Sequence, residues 1–393
     1  MSSFEPQIAD LDAVVDQAKR AGIRRINVLA YRDLDDHAAG GSELHAHEVM
    51  ARWADAGLNV YERTVTAPGH SELESRAGYQ IRRAGGRSLG VPRIAVEGAT
   101  RRLPNADAVV EIWNGVPFFS PFWWRGPRLV VLHHLHDKLW EAFYPAPFDR
   151  IGSAVERRIA PLAYRKSPVA TLAPSGRDDL IARTPLKAAQ IHVVKPGIDN
   201  FFRTNTFGDN RSAAPLLLSV GRLTTAKRVR LAIDVLHNLS AEFPNLKLVI
   251  VGEGPQREAL VAKAASLGVS DQVELVGRAS REDLALWYQR AWLILGTSIS
   301  EGWGMTLTEA AAAGTPSVAS DIVGHRDAMA PGSGLLASDD LEFEANVRKM
   351  LADASFRTAA GHIAHSSSKT LNWDTTATEL LKLLVADADR LHR

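Results

Sequence analysis

Two glutamates separated by seven residues mark the stretch SISEGWGMTLTEAAAAGTP, residues 298–316. The apolar run before the loop, Trp292 to Leu295, predicts a buried strand. The run after it, Met305 to Ala313, predicts a helix that Gly314 ends as a C-terminal cap. A strand, a glycine-rich turn and a helix start bring backbone N–H groups and the positive end of the helix dipole together. The stretch therefore predicts an anion site.

The positions of the two carboxylates predict that the anion also carries hydroxyl groups. Glu301 lies in the loop, and Glu309 lies about two turns further on, towards the end of the helix. A carboxylate beside a phosphate needs another role, such as accepting hydrogen bonds from hydroxyls, in which sugars and riboses are rich. The alternative interpretation is a surface loop that leads into an alanine-rich core helix.

This stretch resembles the signature of the family-four retaining glycosyltransferases, a glutamate, seven residues and a second glutamate inside "EGfG…EA…G.P". In that family the first glutamate faces the donor sugar and the second holds the ribose hydroxyls, so the resemblance implies these roles for Glu301 and Glu309. It also implies the α/β architecture called GT-B, in which two doubly wound Rossmann-like domains face each other across a cleft.

The order of predicted strands and helices independently indicates two α/β domains. In the first half a strand (Ile26–Ala30), a glycine loop, a helix (Glu43–Ala56) and a strand (Leu58–Val65) open a parallel sheet. In the second half strands and helices alternate. We predict strands at Leu216–Val220, Leu246–Val251, Gln272–Val276, Trp292–Leu295 and Ser317–Ser320, and helices at Val229–Glu242, Gln256–Leu267, Arg281–Arg290 and Met305–Ala313.

We predict an N-terminal domain over residues 1–200, on the acceptor side, and a nucleotide-sugar donor domain over residues 201–370. Residues 371–393 hold a final helix that, by the resemblance, crosses back to the N-terminal domain. The polar segment Phe201 to Pro215 is interpreted as the linker. Residues 67–100 are interpreted as short strands and loops, Ile151–Tyr164 as a helix, and Ser175 as the cap of another helix.

Composition excludes several classes of protein. The chain has 393 residues, 46% hydrophobic and 23% charged, which is normal for a globular protein with two cores. A net charge of +1 gives no global field that points to nucleic acid. The absence of cysteine excludes disulfides and thiolate metal sites and fits a reducing cytosol. Without a signal peptide or an apolar run of membrane-spanning length, we expect a cytoplasmic protein, with peripheral membrane contact left open.

Two cations follow the strand Leu216–Val220 and predict a diphosphate site. Arg222 and Lys227 lie in the loop at the carboxyl end of this strand, where open α/β sheets bind ligands. In the family the motif "GR…K" binds the nucleotide diphosphate, and Gly277-Arg278 resembles the family's base-contacting turn. The alternative is a solvated basic loop. The resemblance implies a donor site made of Gly41, Arg222, Lys227, Arg278, Glu301, Gly302, Trp303, Gly304, Met305, Thr306 and Glu309.

The first half contributes two further candidate sites. Gly40-Gly41-Ser42-Glu43 matches the family's "GG.E", where glycine lets backbone approach a ligand and a helix start supplies donors. Three histidines lie at the end of the strand Arg128–His133, in the run 132–137. Adjacent histidines point in opposite directions on a strand, which argues against a metal site. The family carries a histidine here that faces the donor sugar, and the register favours His133, with His134 as the alternative.

No metal or other cofactor is expected. Asp33, Asp35 and Asp36 imitate the D-x-D metal motif, but that motif belongs to a different glycosyltransferase architecture, and Arg222 with Lys227 replaces the charge of the metal. The aromatic run in residues 116–124 is interpreted as core and domain packing, and it also permits an apolar or lipid-linked acceptor.

These observations predict an enzyme that moves a hexose-type sugar from a UDP- or GDP-linked donor to an acceptor hydroxyl, with retention at the anomeric carbon. The acceptor is a glycan, a glycolipid or a small-molecule glycoside. Catalytic roles fall on His133, Glu301, Arg222 and Lys227. A sugar-nucleotide epimerase of the same architecture and a non-catalytic sugar-nucleotide-binding protein are the alternatives. Front-side attack and double displacement both remain open, as does the oligomeric state.

Overall fold

The structure is a computed structural model that describes residues 10–86, 89–136, 140, 146–203 and 210–393. The chain divides into two compact units. The first comprises the chain up to Gly197 together with Asn372–Arg393, and the second comprises Ile198–Leu371. The predicted boundaries, at residues 200 and 370, lie close to these positions.

A mostly parallel sheet forms the centre of the first unit. Its order is β3-β4-β2-β1-β5-β6-β7-β8, and only the β3–β4 pair is antiparallel among the described strands. All six residues of β5, AVVEIW, are buried, as expected of a parallel strand covered on both faces. The strands are β1 (Arg25–Leu29), β2 (Asn59–Thr64), β3 (Leu73–Arg76), β4 (Tyr79–Arg83), β5 (Ala108–Trp113), β6 (Arg128–Leu132), β7 (Val169–Thr171) and β8 (Ile191–Val193).

Helices cover both faces of this sheet. One face carries Leu11–Arg20, Gly41–Asp55 and the final helix, Trp373–His392, which share a core that includes Val14, Trp53 and Leu381. Asn372 caps the final helix by accepting from the N–H of Asp374 at 2.6 Å. The other helices of the unit are Gly90–Ala99, Phe148–Ala154, Ala160–Ala163 and Pro174–Arg183, with a π-helical turn at Val155–Ile159.

The second unit is built on a parallel sheet of order β11-β10-β9-β12-β13-β14. Its strands are β9 (Leu216–Val220), β10 (Lys247–Val251), β11 (Val273–Gly277), β12 (Leu293–Gly296), β13 (Ser317–Ser320) and β14 (Gly334–Ala337). Its helices are Val229–Leu239, Arg257–Ser266, Arg281–Arg290, Met305–Ala312, His325–Ala328, Asp340–Ala352 and Ala354–Ser368. Within the described residues no helix combines the length and the apolar character that crossing a bilayer requires.

Two local predictions were wrong, and one strand was missed. Residues 67–100 hold the helix Gly90–Ala99 besides two short strands, because Ile94 packs into a cluster with Leu29 and Val109 that local sequence does not reveal. Ser175 does not cap its helix. That helix begins at Pro174, whose fixed backbone angle suits a first helical position, and Ala173 before it provides no side-chain cap. The strand β14 was not predicted.

Part of the predicted linker belongs to the second unit. Phe202 is buried and packs edge-on against Tyr288, with ring centroids 5.7 Å apart. Arg211 bonds to the Thr315 hydroxyl at 2.7 Å and to the Gly314 carbonyl at 3.0 Å. Residues 204–209 of the predicted linker lie outside the described residues. The segment 198–215 therefore contributes to the packing of the second unit at both of its ends.

Candidate functional site

The candidate donor site lies where the strand order of the second sheet reverses. The chain enters this sheet at β9, adds β10 and β11 on one side, and then returns to place β12 on the other side of β9. In open α/β sheets ligands bind outside the carboxyl ends of the strands at such a reversal. Here the loop after β9 carries Lys227 and the loop after β12 carries Glu301.

These two loops are joined by hydrogen bonds and by an ion pair. The Thr297 hydroxyl donates to the carbonyl of Lys227 at 2.6 Å, and the N–H of Ile299 donates to the carbonyl of Ala226 at 3.0 Å. The Lys227 ammonium donates to Glu301 Oε1, as does the Ser298 hydroxyl at 2.7 Å. The structure thus places Lys227 and Glu301, 74 residues apart in sequence, in direct contact.

Electrostatics keep Glu301 ionised. Burial alone would raise the pKa of this carboxyl, but the attraction of Lys227 and its hydrogen bond outweigh burial, so the pKa falls to about 2. The two side chains remain 26% and 21% exposed, so both charges stay accessible to a ligand. The pair therefore offers one cation that can meet a phosphate and one fixed acceptor that can meet hydroxyls.

The helix Met305–Ala312 begins beside this pair. Its N-cap, Gly304, has a φ of +112°, a conformation that other residues rarely adopt, and the His325 ring lies 2.9 Å from where a side chain would begin. The first N–H groups of a helix have no intrahelical acceptor, and here they belong to Met305 and Thr306. The predicted residues Gly302, Trp303 and Gly304 are buried in the turn before this helix. This arrangement suits an anionic oxygen.

Glu309 occupies a different environment from Glu301. It is 9% exposed and accepts a hydrogen bond from the Tyr288 hydroxyl at 2.7 Å. Burial raises the pKa of this carboxyl to about 7, although the Tyr288 bond and the charge of Arg281 oppose the rise. Glu309 therefore titrates near neutral pH. Its ionised form can accept hydrogen bonds from ribose hydroxyls.

Backbone turns at the ends of β9, β10 and β11 lie side by side. The N–H of Gly221 donates to Val251 at 3.0 Å, and the N–H of Gly252 donates to Gly277 at 2.7 Å. A Cβ on Gly252 would clash with the carbonyl of Gly221, so only glycine fits there. The predicted Arg222 is half-buried beside β9, and the predicted Arg278 is exposed after β11, two strands away.

The glycine motif of the first unit forms a helix start held by its own glutamate. Gly41 is the first residue of the helix Gly41–Asp55. Glu43 Oε2 accepts from the N–H of Gly40 at 2.8 Å and from the Ser42 hydroxyl at 2.9 Å, and Arg32 binds its other oxygen at 3.1 Å. These contacts assign Glu43 to stabilising the turn. A contact between Gly41 and the donor stays a prediction.

The predicted catalytic His133 lies in a buried pair of imidazoles. His133 is 5% exposed, and its ring lies edge-on to that of His45, with centroids 5.2 Å apart. Among the described residues no hydrogen-bond partner is seen for any ring nitrogen of this pair. Burial lowers the pKa of His45 to about 4 and that of His133 well below its ordinary value, so both rings are neutral. The role of His133 at the donor sugar stays a prediction.

The other histidines of this run have different surroundings. His136 bonds through Nδ1 to Glu156 at 2.7 Å and through Nε2 to Asn114 at 2.9 Å, which makes it a structural residue. The ring of His134 lies 4.5 Å from that of His136. The role of His134 as the alternative to His133 stays a prediction as well. Asp137, the last residue of the predicted run, lies outside the described residues.

The acidic residues that imitate a metal motif are bound to arginines. Asp33 pairs with Arg83, and Asp35 pairs with both Arg76 and Arg83. Asp35, His70 and Glu74 offer ligand atoms within 4.8 Å of one another, a spacing that could hold a metal ion. However, the same arginines also bind Glu74, and two guanidinium groups oppose a cation at that position. We assign this cluster to ion pairing between the loop after β1 and strands β3 and β4.

Comparison with known proteins identifies the second unit. The family described as "Glycosyl transferases group 1" matches residues 203–366. A D-inositol 3-phosphate glycosyltransferase of Thermobispora bispora is 27% identical to the chain over 90% of its length and 92% of the relative's. A protein of the same name from Frankia alni is 33% identical over 49% of the chain and 52% of the relative. The predicted resemblance to family-four glycosyltransferases is confirmed.

Solved structures establish the fold. Sucrose-phosphate synthase from Thermosynechococcus elongatus matches with a TM-score of 0.77 at 20% identity, over 92% of this chain and 98% of that one. Anabaena Alr3699/HepE in complex with UDP-glucose matches with a TM-score of 0.73 at 16% identity, over 92% and 99%. These likenesses confirm the predicted GT-B fold with two Rossmann-like domains.

Sequence patterns did not predict several residues that contact the candidate residues of the two units. Ser298, which bonds to Glu301, lies in the stretch 298–316, but a serine in a loop is not a specific signal of function. Tyr288 and His325 come from other elements and reach Glu309 and Gly304 only in the folded chain. His45 stands four residues after Gly41, one helical turn away, and that spacing is the one signal by which it could have been found.

Proposed function

We propose that this chain, whose second unit matches the group 1 glycosyltransferases, moves a hexose-type sugar from a nucleotide-diphosphate sugar to an acceptor hydroxyl with retention at the anomeric carbon. The observation that carries the proposal is the contact between Lys227 and Glu301 at the reversal of strand order, beside the start of the helix Met305–Ala312. That cluster brings together a cation, the N–H groups at a helix start and an ionised carboxylate.

The chemistry follows from the charges. Transfer requires the diphosphate to leave while positive charge builds on the sugar ring. Lys227, Arg222 and the N–H groups of Met305 and Thr306 stabilise the charge that grows on the leaving group. Glu301 stays ionised because of Lys227 and accepts hydrogen bonds from the donor's hydroxyls. Glu309 holds the ribose.

Because two fixed cations face the diphosphate, the proposed reaction needs no divalent metal ion. The donor carries UDP or GDP. One solved neighbour holds UDP-glucose, which supports testing UDP-sugars first. The curated relatives are named for D-inositol 3-phosphate, which supports testing inositol phosphate first among small hydroxylated acceptors.

Incubation with labelled UDP-, GDP- and ADP-sugars tests the proposal. We expect slow hydrolysis of one donor to nucleotide and free sugar, faster transfer when the acceptor is added, and α-linked product from an α-linked donor. The rates should be the same in EDTA. An epimerised donor would identify the epimerase alternative, and a donor that binds but stays intact would identify the binding protein. Activity lost in EDTA and restored by magnesium or manganese would contradict metal independence.

Nucleotide affinity should depend on pH through Glu309. The carboxylate accepts ribose hydroxyls best when ionised, and its pKa is about 7. We therefore expect the Kd of the nucleoside diphosphate to fall as the pH rises from about 6 to about 8. The fall should reach about tenfold per pH unit below the pKa of Glu309. Glu301 stays ionised throughout this range because its pKa is about 2. Isothermal titration calorimetry at several pH values measures the effect.

Glu309→Gln is the control for this pH dependence. The amide keeps the size of the side chain and does not titrate. The variant should therefore bind the nucleoside diphosphate more weakly, with an affinity that does not depend on pH. In the ligand-free protein the raised pKa means that the folded state keeps the proton longer than the unfolded chain. The free energy of unfolding should therefore fall as pH rises from 4.5 to about 7, and this slope should shrink in Glu309→Gln. Equal pH slopes of Kd in both proteins would contradict the assignment.

A further inference from the structure

The surface between Phe148 and Lys166 in the first unit is both apolar and basic. Eight residues of this stretch are exposed, and none of them is acidic. Four are large and apolar, with exposures of 62%, 55%, 58% and 46%, namely Phe148, Ile151, Ile159 and Leu162. The other four are cations, Arg150, Arg158, Arg165 and Lys166. An ordinary exposed helix face is polar and mixes both signs of charge, so this face is unusual.

The buried side of the same segment fixes which residues point outward. Glu156 is buried and bonds to the ring of His136 at 2.7 Å and to the indole N–H of Trp140 at 3.0 Å. Ala160 and Tyr164 pack in a core cluster with Trp113 and other strand residues. These inward positions recur every four residues, so Ile159 and Leu162, which lie between them, are held towards solvent.

A second exposed segment lies on the same face of the sheet. Alternate residues of β5 point to opposite faces, and Val109 packs under the helix Gly90–Ala99 while Trp113 packs under Ala160. On that helix Val96 is 55% exposed, and in the adjoining turn Phe122 is 72% exposed. The exposed charged residues of 89–102 and 120–126 are all cations, Arg93, Arg101, Arg102 and Arg125.

The aromatic run of residues 116–124 is thus divided. Phe118 is buried, as the packing interpretation predicts, but Phe122 is exposed, so the interpretation was wrong for that residue. Phe122 stacks on Phe119, whose ring packs against the cluster that holds Ala160 and Tyr164. The two exposed segments therefore adjoin one another on one face of the first unit.

We propose that this face docks the protein on an anionic phospholipid bilayer. Apolar side chains that penetrate the headgroup boundary, ringed by arginine and lysine, are the pattern by which helices lie on such membranes. Charge complementarity favours a bilayer over a second copy of this chain as the partner. In a symmetric dimer through this face each copy would meet a surface whose exposed charged residues are all cations, and like charges repel. An anionic bilayer attracts these cations together, although Arg93 also pairs with Glu97 at 3.1 Å. The inference is independent of the donor and the acceptor.

Sedimentation with lipid vesicles tests the inference on the full chain. Wild-type protein should pellet with vesicles of mixed phosphatidylcholine and phosphatidylglycerol and stay in solution with phosphatidylcholine alone. Because each cation near an anionic surface contributes about 1 kcal/mol, Arg158→Ala with Arg165→Ala should weaken partitioning by roughly 30-fold. Raising the salt concentration should weaken it further. Ile159→Ser with Leu162→Ser should also release the protein from vesicles.

Leu341→Ser and Lys382→Ala are the matched controls. Leu341 is 82% exposed and belongs to the second unit. Lys382 is 44% exposed on the final helix, which covers the other face of the first unit's sheet. Both controls should partition as the wild type does. Circular dichroism and thermal melting should show that all variants are folded, because every substituted side chain is exposed. Equal partitioning of wild type and face variants, or no preference for the anionic vesicles, would overturn the proposal. So would a dimer in sedimentation velocity that Ile159→Ser dissociates.

Discussion

Lys227→Ala should lower kcat for sugar transfer by about 10²–10³, or roughly 3–4 kcal/mol of transition-state stabilisation. The ammonium meets the charge that grows on the leaving diphosphate, and an interaction that strengthens in the transition state changes kcat more than KM. The fold should survive, because the side chain is 26% exposed and its contact is with Glu301 in the loop after β12. Steady-state kinetics on purified, folded protein measure the effect.

Two further variants separate the role of the ammonium from that of its partner. Ser298→Ala removes the other hydrogen bond to Glu301 and leaves Lys227 in place, so it should cost far less than Lys227→Ala. Lys227→Arg should not restore activity fully, because a planar guanidinium does not fit where a compact charge fits.

Lys263→Ala is the matched control. Lys263 pairs with Asp234 in the same unit at comparable exposure, 20% for the lysine, and has no role at the proposed site. It should leave kcat within assay error. Near wild-type transfer by Lys227→Ala would reject the diphosphate assignment and with it the proposed donor site.

Glu97→Ala should lower the free energy of unfolding by about 3–5 kcal/mol. Glu97 holds Arg63 through two hydrogen bonds, at 2.7 Å and 2.9 Å, and the Arg63 side chain is 0% exposed. Removing the carboxylate leaves a cation buried in the first unit, where the Ala84 carbonyl at 3.0 Å cannot neutralise it. Equilibrium urea denaturation, followed by circular dichroism, measures the loss.

An exposed pair of the same chemistry provides the control. Glu72 contacts Arg82 at 3.4 Å, and the two side chains are 60% and 31% exposed. Exposed pairs contribute about 0–1 kcal/mol, so Glu72→Ala should change stability little. Replacing both buried partners, with Arg63→Met and Glu97→Leu, should recover most of the stability, because no charge is then left unpaired. If Glu97→Ala and Glu72→Ala cost the same, Arg63 finds another partner or solvent.

The sequence determined the fold class because its signals were local. Apolar runs bounded by glycine predicted β9, β12 and the helix Met305–Ala312 to within a residue or two, since a parallel strand buried on both faces must be apolar throughout. The spacing of Glu301 and Glu309 led to the family because both lie in one loop and one helix. Where local signals were weak, as in residues 67–100, the helix Gly90–Ala99 was missed because its core partners come from β1 and β5.

The charges of the site were decided by tertiary structure. Glu301 and Glu309 carry the same side chain, yet the pKa of the first is about 2 and that of the second about 7. The difference arises because Lys227, 74 residues away, reaches Glu301, whereas Glu309 is buried against the neutral Tyr288 hydroxyl. A pattern of residue types predicts which groups a segment carries. Only the folded chain sets the distances and the burial that fix their ionisation, because Coulomb and desolvation energies depend on both.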